Sequence, residues 1–563
     1  MIILGITDNH DSGIAIFKDG EISFAINEER LNRDKITRQF PSMSISLALK
    51  SLDISPGDVS LIIVGTRITP PFLLRLVNKW YVKIRAHVST FSYSVNLFYL
   101  WQALLGFMPV FERIDVGLSY ILYKKKFKEL GFNCTVKFVD HHYAHAAGAF
   151  YTSGFHDALV VTMDGMGDSR AVTVSEGRGP HLRYAVYNES GLSAIATFYS
   201  RITEYLGFYP LLHEGKIMAL AAYGNPDRAY HLLRRLLQFR DKGFNKTPFF
   251  LKQSVDSGIY HNLRYFSRED IAASAQRVLE EEVCKFVKYW VKKKSLPKLV
   301  LAGGIFANIK LNQKLADLKE VEDIYIFPHM GDGGLAYGAI LSYTKPPPKR
   351  IKNLFLGPDF SEKEILNILN GNRQIYYERI ENIEREIGKL LANHKLIAHF
   401  SGKMEYGPRA LGNRSIFYEA VDTTIKDRLN QKLKRTEFMP FAPVLQYEHR
   451  DKYFFNTHKA DYTAEFLNIS FNCKEETKKI YPGIIHVDNT ARPQFVREEN
   501  NPRMYNILKY YKMYSGYDML INTSLNIHEE PIVCTPKDAV SAFYRAELDY
   551  LILENFIVPR KQR

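Results

Sequence analysis

Two histidines four residues apart are the side chains of this sequence best suited to bind a metal. His141 and His145 lie in the stretch DHHYAHAA, whose composition favours a helix. On a helix, residues four apart share one face, so both imidazoles would point the same way. Such a pair suits zinc, iron or manganese when carboxylates complete the coordination. The spacing is equally compatible with a capped helix that packs two histidines without a metal.

Three aspartates in glycine-rich turns can supply the carboxylates. Asp164 and Asp168 lie in the turn DGMGD, and Asp332 lies in the turn MGDGG. Each turn follows a predicted strand, and side chains at the end of a strand can point outward from the sheet toward a ligand. One or two of these carboxylates would complete a metal site with the histidines.

The same glycine-rich turns are candidates for binding phosphate. Without side chains, their backbone N–H groups can approach phosphate oxygens closely, and several such turns in one region suggest a nucleotide. Each turn alone is compatible with a simple tight connection. The candidate nucleotide-binding residues are Gly165, Gly167, Asp168, Lys216, Gly303, Gly304, Asn308 and Gly331.

Isolated arginines in glycine and proline turns characterise the last third of the chain, as in GPRALGNR. Arginine binds phosphate and carboxylate in bidentate fashion. A nucleic-acid surface would instead show runs of Lys and Arg interleaved with aromatic residues, so we predict a small anion pocket and no nucleic-acid partner. Any single arginine here is also compatible with a solvated surface position. The candidate pocket residues are Arg409, Arg414, Arg435, Arg492, Asn522 and Ser524.

The elements that must position these side chains are strands and hairpins. Strands are predicted at 2–7, 14–17 and 21–25, and the design recurs at 158–163 and 171–174, which implies two related lobes. Later strands at 299–301 and 324–327 alternate with a helical pattern at 272–293. This alternation predicts α/β layers.

A chain of 563 residues is too long for one hydrophobic core. The prolines of KPPPKR cannot continue a helix or a central strand, so residues 346–350 are the predicted linker. We expect a first domain at 1–345, with an insertion at about 68–130, and a second domain at 351–563.

Charge and cysteine usage limit the cellular setting. Lys and Arg outnumber Asp and Glu by 75 to 61, a net charge of +14 that attracts nucleic acid, anionic lipid or phosphorylated substrates. Four widely separated cysteines and an N-terminus without a signal sequence predict a cytoplasmic protein. Residues 86–111 contain no Asp, Glu, Lys or Arg and are long enough to span a bilayer. Polar interruptions favour a buried or groove-lining helix, with membrane contact as the alternative.

Nine motifs occur in a consistent order: HDSG, NEERLNRDK, HHYAHAAGAF, TMDGMGD, HEGKIMALAAYG, LAGGIFAN, GPRALGNRSI, HVDNTARPQ and NTSLN…EPIVCTP. Together they resemble the NodU and antibiotic O-carbamoyltransferase family, which includes the cephalosporin- and tobramycin-type enzymes. The resemblance covers most of the chain. It implies an α/β fold, with an actin-like (ASKHA) two-lobed first domain similar to the tRNA threonylcarbamoyl-transferring ATPase, fused to an α+β YrdC-like domain.

The resemblance also implies a mechanism. A divalent metal, Fe²⁺ before Zn²⁺ or Mn²⁺, would be held by His141, His145, Asp164 and Asp332. Carbamoyl phosphate would bind the arginine pocket, and ATP with Mg²⁺ would supply an adenylyl group. The resulting carbamoyl-adenylate would carbamoylate a hydroxyl of a natural product, sugar or lipid.

Three residues near the N-terminus are candidates for catalysis. His10, beside Asp11, is a candidate general base because an imidazole accepts a proton near neutral pH, although a histidine in a hairpin turn is equally compatible with a polar surface role. Lys35 resembles a family lysine and is expected to reach the same pocket.

The chain departs from the family at His528 and Glu529, where a basic residue and glycine are common, and in the insertion at 68–130, which we interpret as a specificity region. The alternatives are a tRNA threonylcarbamoyl-transferase-like enzyme, an actin-like regulatory ATPase anchored through 86–111, and a sugar kinase.

Overall fold

The computed structural model describes residues 1–77, 100–102, 105–106, 108–245, 258–371, 374–433 and 441–560. The chain forms two compact units. The first contains Met1–Glu28 and Ile36–Arg350, and the second contains Glu29–Lys35 and Ile351–Arg563. The predicted first domain, 1–345, therefore includes a short segment that the structure places in the second unit.

The first sheet of the first unit has five strands. They are β1 (Ile2–Thr7), β2 (Gly13–Lys18), β3 (Glu21–Asn27), β4 (Val59–Val64) and β5 (Thr135–Phe138). Their order is β3-β2-β1-β4-β5, with an antiparallel meander of the first three strands. β4 runs parallel to β1, and β5 runs parallel to β4.

The second sheet of this unit repeats the arrangement. The following strands are β6 (Asp157–Gly167), β7 (Arg170–Arg178), β8 (His181–Ser190), β9 (Phe239–Arg240), β10 (Gly243–Phe244), β11 (Lys298–Ala302) and β12 (Asp323–Ile326). β6, β7 and β8 form an antiparallel meander, and β11 and β12 follow in parallel beside β6. Both predicted hairpins are present, and β9 pairs with β10 separately.

Helices fill the space around the two sheets. Those of the first 350 residues whose bounds the structure gives are α1 (Glu29–Asn32), α2 (Ser42–Ser51), α3 (Phe72–Leu76), α4 (Pro109–Glu129), α5 (His141–Ser153), α6 (Phe198–Tyr205), α7 (Glu214–Leu220), α8 (Tyr230–Leu233), α9 (Gly258–Leu263), α10 (Arg268–Lys294), α11 (Ile309–Ala316) and α12 (Leu335–Thr344). α12 packs on β1, α5 packs on β6 and β11, and the two helices pack on each other. They approach so closely that a Cβ on Gly338 would lie 2.0 Å from the carbonyl oxygen of Ala144.

The second unit is built on a mixed sheet of eight strands. Its strands are β13 (Glu378–Arg379), β14 (Ile397–Phe400), β15 (Arg414–Glu419), β16 (Ala442–Gln446), β17 (Phe471–Asn472), β18 (Thr490–Ala491), β19 (Gln494–Val496), β20 (Met519–Ser524), β21 (Tyr550–Leu553) and β22 (Phe556–Pro559). The order in the large sheet is β13-β22-β21-β14-β15-β20-β16-β19, and β17 pairs with β18.

The described part of this unit contains eight further helices. They are α13 (Glu362–Asn370), α14 (Ile383–Ala392), α15 (Ile425–Lys432), α16 (Arg450–Tyr453), α17 (Asp461–Ala464), α18 (Glu475–Ile480), α19 (Pro502–Ser515) and α20 (Pro536–Arg545). α14 and α19 pack together over the sheet, where Ile387, Phe417, Tyr511, Leu520 and Ile552 are fully buried.

The segment Glu29–Lys35, which we call the strap, is bound into the second unit by two arginines. Arg30 is buried and donates from Nη2 to the carbonyl oxygen of Gly407 at 2.8 Å. Arg33 donates to the carbonyl oxygens of Pro531 at 2.6 Å and Ile532 at 2.8 Å. The strap is therefore part of the hydrogen-bonded structure of the C-terminal residues.

Most of the uncharged segment 86–111 lies outside the described residues, as does Arg435. Within the described residues, no helix combines the length and the apolar character needed to cross a bilayer.

Candidate functional site

Four predicted ligands converge in the first unit. His141 and His145 lie in the first two turns of α5, Asp164 lies near the end of β6, and Asp332 begins the short 3₁₀ turn before α12. One ligand atom from each residue lies within 4.8 Å of the others. Three of the side chains are fully buried, and that of Asp164 is 13% exposed. The geometry is that of a small, mostly enclosed cluster.

The atoms of this cluster suit a cation. Asp164 Oδ2 lies 3.1 Å from His141 Nε2 and 3.4 Å from His145 Nε2. Asp332 Oδ1 lies 3.6 Å from both histidine nitrogens. Among the described residues, this buried oxygen has no hydrogen-bond partner, which is costly unless an ion satisfies it. Two imidazole nitrogens and two carboxylate oxygens fit iron, zinc or manganese.

Opposite charges within the cluster shift the pKa values of its side chains. Burial alone would lower the pKa of His141, but the carboxylates of Asp332 and Asp164 raise it to about 9. Burial alone would raise the pKa of Asp164, but hydrogen bonds with His141 and His145 hold it well below its usual range. Asp164 is therefore ionised, which a metal ligand requires.

The first hairpin supports Asp332 from the other side. Asn9 Nδ2 donates to Asp332 Oδ2 at 2.7 Å, and His10 Nε2 lies 3.1 Å from the same oxygen. His10 Nδ1 lies 3.6 Å from Asp11 Oδ2. Burial would lower the pKa of His10, but Asp332 and Asp11 raise it. The structure thus brings His10 and Asp11 to the cluster, together with Asn9, which the sequence did not single out.

The side chain of Asp168 holds the backbone of the candidate metal ligand His141. Its carboxylate accepts the N–H groups of Arg67, Ile68 and His141, each at 2.8 Å. These bonds join the segment after β4 to the beginning of α5. In the structure, Asp168 therefore fixes the backbone of His141, a candidate metal ligand. The predicted contact of Asp168 with a nucleotide stays a prediction.

The histidine between the two ligands has a supporting role. His142 Nδ1 lies 2.7 Å from Thr162 Oγ1, and Nε2 lies 3.0 Å from the carbonyl oxygen of Arg170. A carbonyl only accepts, so Nε2 carries the proton. Burial lowers the pKa of His142 to about 3, which keeps the ring neutral and fixes α5 against β6 and β7. At α5's start, the Asp140 side chain caps the helix by accepting the Tyr143 N–H.

Three glycine turns lie next to the ligands. A Cβ on Gly167 would lie 2.1 Å from the ring of His141, so only glycine lets that imidazole take its position. A Cβ on Gly304 would lie 3.1 Å from Asp164 Oδ1, and Gly331 directly precedes Asp332. The predicted turns are thus placed beside the candidate metal ligands.

The other residues that the sequence predicted to bind a nucleotide have the following positions in the structure. The backbone N–H of Gly303 donates to the Met330 carbonyl, and Gly165 donates to the carboxylate of Asp164. Asn308 caps α11 and exchanges hydrogen bonds with Gln276. Lys216 lies in the first turn of α7.

The GPRALGNR turn of the second unit is organised by one carboxylate. Glu405 Oε1 accepts the backbone N–H groups of Leu411, Asn413 and Arg414, at 2.9, 2.8 and 3.0 Å. Glu405 and the three donor residues are all buried. The sequence did not single out this residue, although it immediately precedes the motif YGPRALGNR.

Arg414 is an internal brace of the same turn. It is fully buried, and its guanidinium donates to the carbonyl oxygens of Ser401, Gly402, Asn413 and Pro358. Its guanidinium carbon lies 3.6 Å above the ring of Phe400. These contacts occupy most of the group's donors, so the structure gives Arg414 a positioning role.

Polar side chains surround the turn from the sheet. Asn522 Nδ2 donates to the Ala410 carbonyl at 3.2 Å and to Gln494 Oε1 at 2.7 Å. His399 Nδ1 lies 2.7 Å from the Gly412 carbonyl, and burial lowers the pKa of this ring to about 3. Within the described residues, Glu405 Oε2, Asn522 Oδ1 and His399 Nε2 are buried without a hydrogen-bond partner. Unsatisfied acceptors at one turn are the feature expected where a ligand binds.

The remaining predicted pocket residues belong to this unit. Arg409 lies in the turn itself, Arg492 follows β18, and Ser524 ends β20 and donates to Asn526. Lys35 lies in the strap, and His10 lies in the first unit. At the departure from the family motif, His528 Nε2 lies 3.6 Å from Glu529 Oε1.

Comparisons with known proteins give consistent matches along the chain. A family model described as Carbamoyltransferase N-terminus matches residues 2–341, and one described as Carbamoyltransferase C-terminus matches residues 388–560. An uncharacterized protein of Methanocaldococcus jannaschii is 31% identical, covering 99% of this chain and 100% of that protein. Nodulation protein NolNO of Sinorhizobium fredii is 28% identical, covering 98% and 79%. The 3'-hydroxymethylcephem-O-carbamoyltransferase of Streptomyces clavuligerus is 28% identical, covering 59% and 62%.

Proposed function

Because the chain belongs to the carbamoyltransferase family, we propose that it uses carbamoyl phosphate and ATP to carbamoylate a hydroxyl group of a small molecule. The family match confirms the predicted resemblance and makes the protein a transferase. A relative named as an O-carbamoyltransferase supports a hydroxyl acceptor. We propose a natural product, a sugar or a lipid as that acceptor.

The cluster of His141, His145, Asp164 and Asp332 is the observation that carries the proposal. We assign these residues to a divalent metal, Fe²⁺ first and Zn²⁺ or Mn²⁺ as alternatives. When bound there, the metal would supply positive charge that stabilises phosphate and developing oxyanion charge. Asp168 and Gly167 would fix the position of His141, while Asn9 and His10 orient Asp332.

Activation is proposed in the second unit. Arg409, Arg435 and Arg492 would neutralise the phosphate of carbamoyl phosphate. Water would cleave the bond between the carbamoyl carbon and the phosphate oxygen, releasing phosphate and carbamate. A carbamate oxygen would then attack the α-phosphorus of ATP, accompanied by Mg²⁺, releasing pyrophosphate and forming carbamoyl-adenylate.

Transfer is proposed in the first unit. The acceptor hydroxyl oxygen would attack the carbamoyl carbon of carbamoyl-adenylate, and AMP would leave. The hydroxyl proton would pass to a base, for which His10 is the candidate. The overall products would be the carbamate ester, AMP, pyrophosphate and phosphate.

The folds of the two units support this division. Two sheets of identical topology, with glycine turns beside the ligands, are the arrangement expected of a two-lobed actin-like nucleotide domain. For the second unit, we retain a YrdC-like domain as the proposal, supported by its mixed sheet and polar turn. A cytoplasmic location is likewise proposed.

The decisive experiment measures nucleotide products from purified, metal-loaded protein with and without carbamoyl phosphate. AMP and pyrophosphate that form only with carbamoyl phosphate, and that disappear in Arg492→Ala, would support the proposal. ADP formed equally in both samples would overturn it in favour of a sugar kinase or a regulatory ATPase.

Replacing His10 with alanine tests its role in proton transfer. We expect kcat for carbamoyl transfer to fall by about 10²- to 10⁴-fold, since general bases contribute on this scale. Metal affinity should fall by no more than about tenfold, because Asn9 still donates to Asp332. Carbamoyl phosphate-dependent AMP formation should stay near the wild-type value. If metal is lost in parallel with activity, His10 acts instead by positioning Asp332.

Replacing Asn9 with alanine tests the support of Asp332. The variant removes the 2.7 Å hydrogen bond to Oδ2, and we expect metal affinity to fall by about 10- to 100-fold. A chelator competition assay gives the affinity. Asn393→Ala, which changes an exposed amide in the second unit, is the matched control. Unchanged affinity in Asn9→Ala would show that His10 alone suffices to orient the carboxylate.

A further inference from the structure

An apolar stripe lies on the outer face of α4, in the predicted insertion at 68–130, which contains none of the nine sequence motifs. Its members are Val110 (66% exposed), Phe111 (50%), Ile114 (52%), Leu118 (41%) and Ile121 (65%). The spacing of three and four residues places them along one side of the helix. Single exposed apolar residues are ordinary, but a contiguous row marks an interaction surface.

The opposite side of α4 is already used for packing. Asp115, Ser119, Tyr123 and Phe127 are buried there. Tyr123 donates to the buried carboxylate of Asp8, which also accepts from Arg75 at 2.8 Å. The helix is therefore fixed to the first unit by its inner face, and the apolar stripe is held outward.

A second short helix, α3, packs against α4 and also exposes apolar side chains. The N–H of Phe72, the first residue of α3, donates to Asp115 of α4, which joins the two helices. Leu73 and Leu76 of α3 are each 56% exposed. Two helices of the insertion, α3 and α4, thus both carry exposed apolar side chains.

Positive charge continues the stripe toward the end of α4. Lys124, Lys125 and Lys128 are exposed, and Lys125 and Lys128 follow Ile121 at four and seven residues. Of the acidic residues of α4, Asp115 is buried and Glu112 pairs with Arg67 at 2.8 Å, while Glu129 ends the helix. The outer face is therefore apolar for three turns and basic for the last two.

This surface lies beside the metal cluster's helix. Arg113, Val116, Gly117 and Tyr120 of α4 line a groove of about 660 Å³ together with Asp140 and Tyr143. Asp140 caps α5, the helix that carries both histidine ligands. Whatever binds the stripe is therefore next to a groove that reaches the start of α5.

We propose that the stripe and its lysines form a docking surface for an anionic phospholipid bilayer, on which the protein binds peripherally. An apolar row that inserts at the level of the headgroups, with lysines that meet anionic phosphates, is the pattern of an interfacial helix. The net charge of +14 adds attraction to such a surface.

Two other occupants fit the surface less well. A nucleic acid would pair with the lysines but would leave the apolar row in water. A second copy that docks through the same surface would cover the apolar row but would bring a second set of lysines instead of counter-charge. An anionic bilayer provides an apolar environment for the row and negative charge for the lysines.

Co-sedimentation of the full-length protein with vesicles tests the proposal. The vesicles contain phosphatidylcholine alone or phosphatidylcholine mixed with phosphatidylglycerol. The apolar variant combines Ile114→Asp with Ile121→Asp, and the basic variant combines Lys124→Glu, Lys125→Glu and Lys128→Glu. Met513→Asp, at an apolar position of α19 that is 59% exposed, is the matched control.

We expect the wild-type protein and the control to bind the mixed vesicles and to bind phosphatidylcholine weakly. The basic variant should lose on the order of 100-fold in binding, because each lysine near an anionic surface contributes about 1 kcal/mol. Salt at about 1 M, where the Debye length is about 3 Å, should also weaken the binding of the wild-type protein to the mixed vesicles. The apolar variant should lose at least about tenfold.

Three results would overturn the proposal. One is a wild-type protein that binds neither kind of vesicle, and another is binding that both variants retain. The third is a wild-type dimer that binds no vesicles and becomes a monomer in the apolar variant, as measured by light scattering, which would assign the stripe to a second copy. Nucleotide turnover of the variants without vesicles shows whether they remain folded.

Discussion

Replacing His145 with alanine should abolish binding of the proposed metal and abolish carbamoyl transfer, while the protein stays folded. The side chain supplies one of two imidazoles in a cluster whose atoms lie within 4.8 Å of one another. Even residues that only support metal ligands contribute about 10- to 100-fold, so loss of a ligand should cost on the order of 10³-fold or more in kcat. Alanine leaves α5 intact, because it is a strong helix former.

Metal analysis and product chromatography on the same preparation measure this result. His156→Ala is the matched control, since that imidazole belongs to the same unit and its side chain is 80% exposed. Carbamoyl phosphate-dependent AMP formation, proposed for the second unit, should persist in His145→Ala. A variant that retains full carbamoyl transfer after chelation would refute the assignment of the cluster to catalysis.

Replacing Glu405 with alanine should destabilise the second unit by about 3–5 kcal/mol. The variant leaves three buried N–H groups without their acceptor, and an unsatisfied buried donor costs about 1–3 kcal/mol. It also removes the carboxylate charge that most strongly stabilises the protonated guanidinium of the buried Arg414. Burial lowers the pKa of this arginine. An uncompensated buried charge alone costs about 3–5 kcal/mol, and local rearrangement keeps these contributions from adding fully.

Urea denaturation followed by circular dichroism gives the free energy of unfolding. Glu405→Gln keeps an acceptor oxygen and should lose less stability than the alanine variant. Glu475→Ala changes a carboxylate that is 77% exposed and should lie within about 0.5 kcal/mol of wild type. If Glu405→Ala matched that control, the three N–H groups would have found water, and the turn would be far less enclosed than its burial indicates.

Local sequence patterns predicted the parts of the fold that depend on neighbouring residues. The hairpins around Asp11 and Asp168 follow from alternating apolar residues and turn residues, and both are present. The pair His141 and His145 follows from helical spacing, and both rings face the same cluster. In these cases the period of the element determines where the side chain points.

Contacts between distant parts of the chain had no local signal. Asn9 and Asp332 are 323 residues apart and meet only because β1 packs against α12. Arg414 was predicted to meet an anion because its sequence neighbours are glycine, proline and asparagine. Composition alone could not show that the surrounding carbonyls would take up its donors. Glu405 likewise lacks any feature that distinguishes it from a surface carboxylate until the turn closes around it.

The strap has a consequence for the order in which the chain is made. The ribosome synthesises Arg30 long before its partner Gly407, which follows 377 residues later. The second unit therefore completes its hydrogen bonds only when the strap pairs with residues that are synthesised much later. Contacts of such sequence separation slow folding. A C-terminal half expressed from Ile351 onward would lack the strap. It would have to be produced in one chain with the first unit or be given the strap as a separate segment.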